Sequence, residues 1–139
     1  MRDAAAALVS RGAKIDNAAV AAGLGRVDDF TRLLPSADAP TRHAALALAA
    51  QHGQTEIVRL LLDAGEDPSR YNPKGMHAHG TPLHHSIWTE HEDVVRLLVE
   101  RGARLDLRDK IYQSTPLGWA EYGKKEKIAT SLRSLNAPR

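Results

Sequence analysis

Leu46 to Gly65 reads LALAAQHGQTEIVRLLLDAG, and Leu83 to Gly102 reads LHHSIWTEHEDVVRLLVERG. Laid on their first leucines, the two stretches bring Arg59-Leu60-Leu61 onto Arg96-Leu97-Leu98 and Gly65 onto Gly102. A third unit opens at Thr115-Pro116-Leu117, which answers Thr81-Pro82-Leu83. A unit that recurs with a period of roughly 35 residues marks a stacked array rather than one closed core.

Each unit reads as helix, turn, helix, loop. Thr81 and Thr115 suit the N-cap position, where a side-chain oxygen accepts from an otherwise orphaned amide. Pro82 and Pro116 then fall on the first helical position, where a missing N–H costs nothing. In the second helices, Ile57, Val58, Leu60, Leu61 and Leu62 recur at helical spacing, as do Val94, Val95, Leu97, Leu98 and Val99, with Arg59 and Arg96 turned outward. Gly65 and Gly102 close these helices, where a left-handed residue is needed. The expected division is a partial unit at 1–15, a degenerate unit at 16–43, a unit with a long finger at 44–80, a regular unit at 81–114 and a capping unit at 115–139.

Composition agrees with helices and excludes several classes. Aromatic residues make up 4% of the 139, so close packing falls to Ala and Leu. The formal charge of +2 exerts no strong pull on nucleic acid or membrane. The chain has no cysteine, which removes disulfides and thiol chemistry. The alanine run after Asp3 is too short and too weakly apolar for a signal peptide or a membrane span. Catalysis has no visible carrier: there is no GxSxG elbow, no glycine-rich phosphate loop and no paired carboxylates. No cofactor is expected, and a cytoplasmic setting is.

Thr-Pro-Leu-His at Thr81–His84, the small residues of the first helices and the glycine-closed second helices together resemble ankyrin repeats, of bacterial type in the wording around Tyr71-Asn72-Pro73 and Thr115–Ala120. The resemblance is strong from Leu46 to Leu132 and weaker before. It implies an all-α ankyrin-repeat solenoid of antiparallel helix pairs with finger loops projecting from the base. It also implies that His84 links adjacent units through backbone hydrogen bonds, and that His91 is structural. Departures stand at Glu90 and Lys124, where the family has glycine, and at Gly118, where it has the motif histidine. The first helix of the unit at 44–80 has Ala44-Ala45 in place of Thr-Pro, and Pro40-Thr41 can start it earlier. The segment 3–12 reads as a second helix without its first. The chain is then either a piece of a longer array or a complete small protein whose N-terminal end self-associates or stays solvated.

The resemblance places binding on the concave side, at finger tips and at the exposed ends of first helices. Carried over residue by residue, that selects Gln51, His52, Trp88, Thr89 and Tyr122 on helix ends, and Tyr71, His77, Ile111 and Tyr112 on fingers. Trp and Tyr offer large contact area with a polar handle. Trp119 fits packing between units better than binding. The expected activity is non-catalytic recognition of another protein or peptide by a monomer.

The finger Pro68–Gly80, PSRYNPKGMHAHG, is longer than its counterpart and rich in turn-formers. It carries His77 and His79, which in an extended segment would face one side. A metal ion needs three or four ligands, and His43 or His52 from the neighbouring unit is the expected third. The competing reading makes both histidines parts of the finger itself or of a partner contact.

Overall fold

The computed structural model describes residues 15–139, so the helix expected at 3–12 lies outside the described residues. Four helix pairs follow one another: α1 (Ala18–Leu24) with α2 (Val27–Leu33), α3 (Ala39–Gln51) with α4 (Thr55–Asp63), α5 (Pro82–Trp88) with α6 (Glu92–Glu100), and α7 (Pro116–Tyr122) with α8 (Glu126–Ser134). First helices pack in series, α1 on α3, α3 on α5 and α5 on α7. Second helices do the same, α2 on α4 and α4 on α6. The described residues contain no strand. The all-α stack read from the repeat is the fold of the protein.

Every first helix begins on a side-chain oxygen. Thr81 Oγ1 accepts from the His84 amide and Thr115 Oγ1 from the Gly118 amide, as their position before proline predicts. The two units without Thr-Pro use other caps. Asn17 Oδ1 accepts from Ala19 and Val20, and Asp38 Oδ1 accepts from Thr41. Asp38, with Pro40 just inside the helix, starts α3 at Ala39. The unit boundary expected between 43 and 44 therefore falls inside a helix.

The turns inside the pairs are built to one pattern. The amide that opens each second helix reaches back to the first: Arg26 to Ala21, Gln54 to Ala49, His91 to Ser86 and Lys125 to Ala120, at 2.8–2.9 Å. The preceding residue is left-handed each time: Gly25 (φ 74), Gly53 (φ 72), Glu90 (φ 58) and Lys124 (φ 57). Two of the four are not glycine, as the departures from the motif predict, and an L-residue there is strained by about 1–2 kcal/mol. The following unit lays a polar side chain over each turn. Gln54 Nε2 donates to the Gly23 carbonyl, His91 Nε2 lies 3.2 Å from the Gln51 carbonyl, and Lys125 Nζ pairs with Glu90 Oε1 at 2.6 Å. A side chain on Gly53 would collide with His91, since its Cβ would sit 2.5 Å from Nδ1. At Glu90 the next unit brings a flexible lysine instead, so a side chain fits and is neutralised.

Between the two helix layers lies a continuous apolar core that includes Leu46, Ala49, Ile57, Leu61, Leu83, Ile87, Val94, Leu98, Leu117, Ala129 and Leu132. Alanine on α1 and α3 (Ala21, Ala22, Ala45, Ala49 and Ala50 are fully buried) lets these helices approach closely. Leu135, which continues the apolar series of the buried Ile128 and Leu132, is 51% exposed. It stands at the C-cap, one residue past α8, where the chain has already turned away.

Lys124 carries its left-handed strain with an exposed side chain and, among the described residues, no ion pair. Lys124→Gly removes that strain and adds glycine's entropy cost of about 0.5–1 kcal/mol. A net gain of about 0.5–1 kcal/mol is expected in urea unfolding, and a loss would show that the turn is not strained.

Candidate functional site

The long finger is stapled on both sides. Within it, Asn72 N–H donates to the Gly80 carbonyl and Gly80 N–H to the His77 carbonyl. From α3, Gln51 Nε2 donates to the Met76 carbonyl at 3.0 Å, and His43 Nε2 lies 2.7 Å from the Tyr71 carbonyl. From the next finger, the Lys110 amide donates to the His79 carbonyl at 2.7 Å. The Tyr71 hydroxyl donates to the Arg108 carbonyl at 2.6 Å. Lys110 Nζ lies 4.5 Å from the Tyr71 ring centroid, within cation–π reach.

The second finger turns on Asp109, whose carboxylate is fully buried. Oδ1 accepts from the amides of Ile111 (3.0 Å) and Tyr112 (2.6 Å). Oδ2 accepts from the Ser114 amide (3.0 Å) and from Trp119 Nε1 (2.8 Å). Burial alone would raise this carboxyl. The donors, led by the Trp119 indole, outweigh it and hold Asp109 below the usual carboxylate range. Asp109 thereby shapes the finger tip that carries Ile111 and Tyr112 and locks Trp119 beneath it. Sequence reasoning missed it. An aspartate opening a short loop that ends in Ser-Thr-Pro is the only signal, and it is a common one.

Trp119 is the hub of a ring cluster. His79 stacks on it at 5.8 Å between centroids, and His84, His85 and Trp88 meet it edge-on at 5.1, 5.1 and 6.0 Å. His77 stacks on His85 at 4.7 Å, and Tyr112 reaches His79 at 6.3 Å. The cluster thus joins the long finger, α5, α7 and the second finger. His84 Nδ1 faces Thr81, and Nε2 lies 3.1 Å from the carbonyl of Ser114, the residue just before the Thr115 cap of the next unit. Desolvation pushes the His85 imidazole down to about 4, against the opposing Thr81 carbonyl and with help from His77, His79 and His84. His84 is lowered for the same first reason.

The candidate binding residues separate into two groups. Trp88 (46% exposed), Ile111 (61%), Tyr112 (72%) and Tyr122 (84%) are open to solvent. The Trp88 ring lies over Gly123, next in the chain to Tyr122, and Lys125 Nζ stands 5.6 Å from its centroid. Gln51 and Tyr71 are half-buried and spend their polar atoms on holding the long finger. Thr89 is exposed, with its hydroxyl donating back to the His85 carbonyl. His52 is half-buried beside Gly23. His77 is exposed, and His79 is half-buried.

Two expectations about the histidines need correction. His77 is left-handed (φ 61), so the segment is a turn and not extended. The rings of His77 and His79 converge nonetheless, at 6.3 Å. The third imidazole near them is His85, not His43 or His52. His43 is held by the Tyr71 carbonyl, while His85 faces the finger from α5.

A family model of ankyrin repeats (three copies) matches residues 17–109. It takes in the N-terminal units where the motif is weakest. The chain belongs to the ankyrin-repeat family. It is 31% identical over 111 residues to mouse ankyrin repeat and SAM domain-containing protein 6, which covers 80% of this chain and 12% of that protein. It is 35% identical over 63 residues to an ankyrin repeat-containing protein of Schizosaccharomyces pombe, covering 45% of this chain and 28% of the relative. With mouse ankyrin repeat and SOCS box protein 6 it shares 36% over 81 residues, 55% of this chain and 18% of the relative. The chain therefore spans between 12% and 28% of the length of these relatives. Ankyrin repeats are generally protein-interaction scaffolds without catalytic activity. No helix among the described residues is long and apolar enough to cross a membrane.

Asp109→Ala leaves an indole N–H and three amides without their acceptor. A loss of roughly 2–4 kcal/mol in chemical unfolding is expected, and a loss within experimental error would show that Asp109 is not the hub. For His85, the folded pKa of about 4 lies below the unfolded value of 6.5. Its contribution is complete above pH 6.5 and is lost as pH falls toward 4, because the unfolded chain binds the proton first. About 3 kcal/mol is at stake over that window. His77, His79 and His84 face it, and the lowered His84 acts in the same direction. Unfolding midpoints measured from pH 7 to pH 5 check this above most carboxylate titrations; a flat profile contradicts it.

Proposed function

We propose that this chain is a recognition module that binds another protein or a peptide through its finger side. Trp88, Ile111, Tyr112 and Tyr122 make the contacts. The observation that carries the proposal is the exposure of these four large residues on finger two and the ends of α5 and α7, above a hydrogen-bonded and ring-packed base. Scattered exposed apolar residues are ordinary, but aromatic anchors on a rigid support are what interaction hot spots are made of. The support matters because a preformed surface loses little ordering entropy on binding.

Within this reading Gln51, Tyr71 and Asp109 shape the surface rather than touch the partner. His52, His77 and Thr89 border it. The module acts as a monomer in a cytoplasmic setting, and the family's general role as a scaffold supports protein over nucleic acid as the partner class. The mixed charge of the finger side agrees.

The test uses Trp88→Ala and Tyr112→Ala, singly and together, in affinity capture followed by titration of the captured protein. Each substitution is expected to weaken binding by tenfold or more, about 1.4 kcal/mol, and to shift melting by no more than a few degrees. Unchanged affinity with a large fall in stability would reassign both rings to packing.

A further inference from the structure

The geometry points to a transition-metal site of three imidazoles, His77, His79 and His85, at the base of the long finger, suited to Zn²⁺. One ring nitrogen from each lies within 4.8 Å of the others. Zinc–imidazole bonds of about 2.0–2.1 Å set tetrahedral ligand nitrogens about 3.3–3.4 Å apart. The remaining closure is small, and the residue that must supply it is the mobile one in chemical terms. His77 is exposed and sits in a loop, where its ring can tilt from the stack over His85 toward His79.

The surroundings match what ligating histidines need. A metal-bound imidazole commonly directs its other nitrogen to a carbonyl or carboxylate, which sets tautomer and orientation. His85 Nδ1 lies 3.4 Å from the Thr81 carbonyl and 3.3 Å from Asn72 Nδ2. The two contacts belong to different tautomers: metal binding selects the one that donates from Nδ1 to Thr81 and leaves Nε2 its lone pair, and it gives up the bond that Nδ1 accepts from Asn72 Nδ2 in the other. His79 Nδ1 stands 3.8 Å from the buried Asp109 carboxylate. It is buried without any hydrogen-bond partner, as is Asn72 Oδ1. Such orphaned buried polar atoms are uncommon in folded proteins. Asp109 brings a compensating negative charge and, with its oxygens already engaged, acts from outside the ligand set. Trp119, in ring contact with both His79 and His85, walls one side with apolar surface.

Imidazole donors suit Zn²⁺, Cu²⁺ and Ni²⁺ rather than Ca²⁺ or Mg²⁺. Three protein ligands leave a fourth position for water. Binding would tie the long finger to α5, next to the surface proposed for recognition, but the site stands or falls without that surface.

The experiment titrates ZnCl₂ into the full chain by calorimetry and follows Co²⁺ substitution by its visible d–d absorption. One equivalent of Zn²⁺ is expected, with a rise in melting temperature at a few-fold excess and tetrahedral-type Co²⁺ bands. His77→Asn keeps a residue that tolerates the left-handed backbone, and should weaken Zn²⁺ binding at least tenfold. His79→Gln should do the same. His77 is exposed, so its variant carries the test whether or not His79→Gln folds. Absence of stoichiometric binding, or wild-type affinity in His77→Asn, overturns the site.

Discussion

Each helix pair of this protein leaves one flank of its apolar surface uncovered until the next pair arrives. Ile87 of α5 is buried only because α3 and α7 stand on either side, and the same holds for Ala49 and Leu46 of α3 between α1 and α5. Stability is then a chain of neighbour terms. That constraint explains why the inter-unit polar contacts are so regular. The residue laid over each of the first three turns, Gln54, His91 or Lys125, bridges to the adjoining unit. His84 reaches the Ser114 carbonyl, next to the Thr115 cap that opens the following unit.

The finger side is organised by different physics. Asp109 is a carboxylate without solvent exposure, and it survives there because three amides and an indole surround it. Those donors come from the residues that follow it in the loop and from α7, so the charge determines the loop's shape. Above it sit exposed rings, and nearby sit the His84 and His85 imidazoles, whose charged forms desolvation disfavours. A neutral, donor-rich cluster next to apolar rings is chemically versatile. It can stiffen a recognition surface and hold a soft cation without needing two separate structures.

Much of the architecture was legible in the residues. Thr81-Pro82 and Thr115-Pro116 announced helix starts, Gly65 and Gly102 announced helix ends, and the leucines of the second helices announced the buried face. Glu90 and Lys124 were recognisable as strained because they replace glycine in a repeated turn. The start of α3 was less clear, since Asp38 with Pro40 does the work of Thr-Pro six residues earlier than the motif would place it. Among the candidate residues, Trp88, Ile111, Tyr112 and Tyr122, selected by their positions in the unit, are open to solvent. Gln51 and Tyr71 occupy equivalent positions, yet their polar atoms hold the finger.

By itself the sequence determined the period, the helix pairs and their order, because caps, turn glycines and apolar spacing are local properties. It also limited the chemistry, through the absence of cysteine and of catalytic motifs. Only the tertiary structure decided which histidine joins His77 and His79, that Asp109 is buried, and which candidate side chains remain open. Those outcomes depend on where a finger folds relative to the next unit. That placement comes from contacts such as Lys110 to His79 and Tyr71 to Arg108, between residues too far apart in the chain for any local pattern to encode.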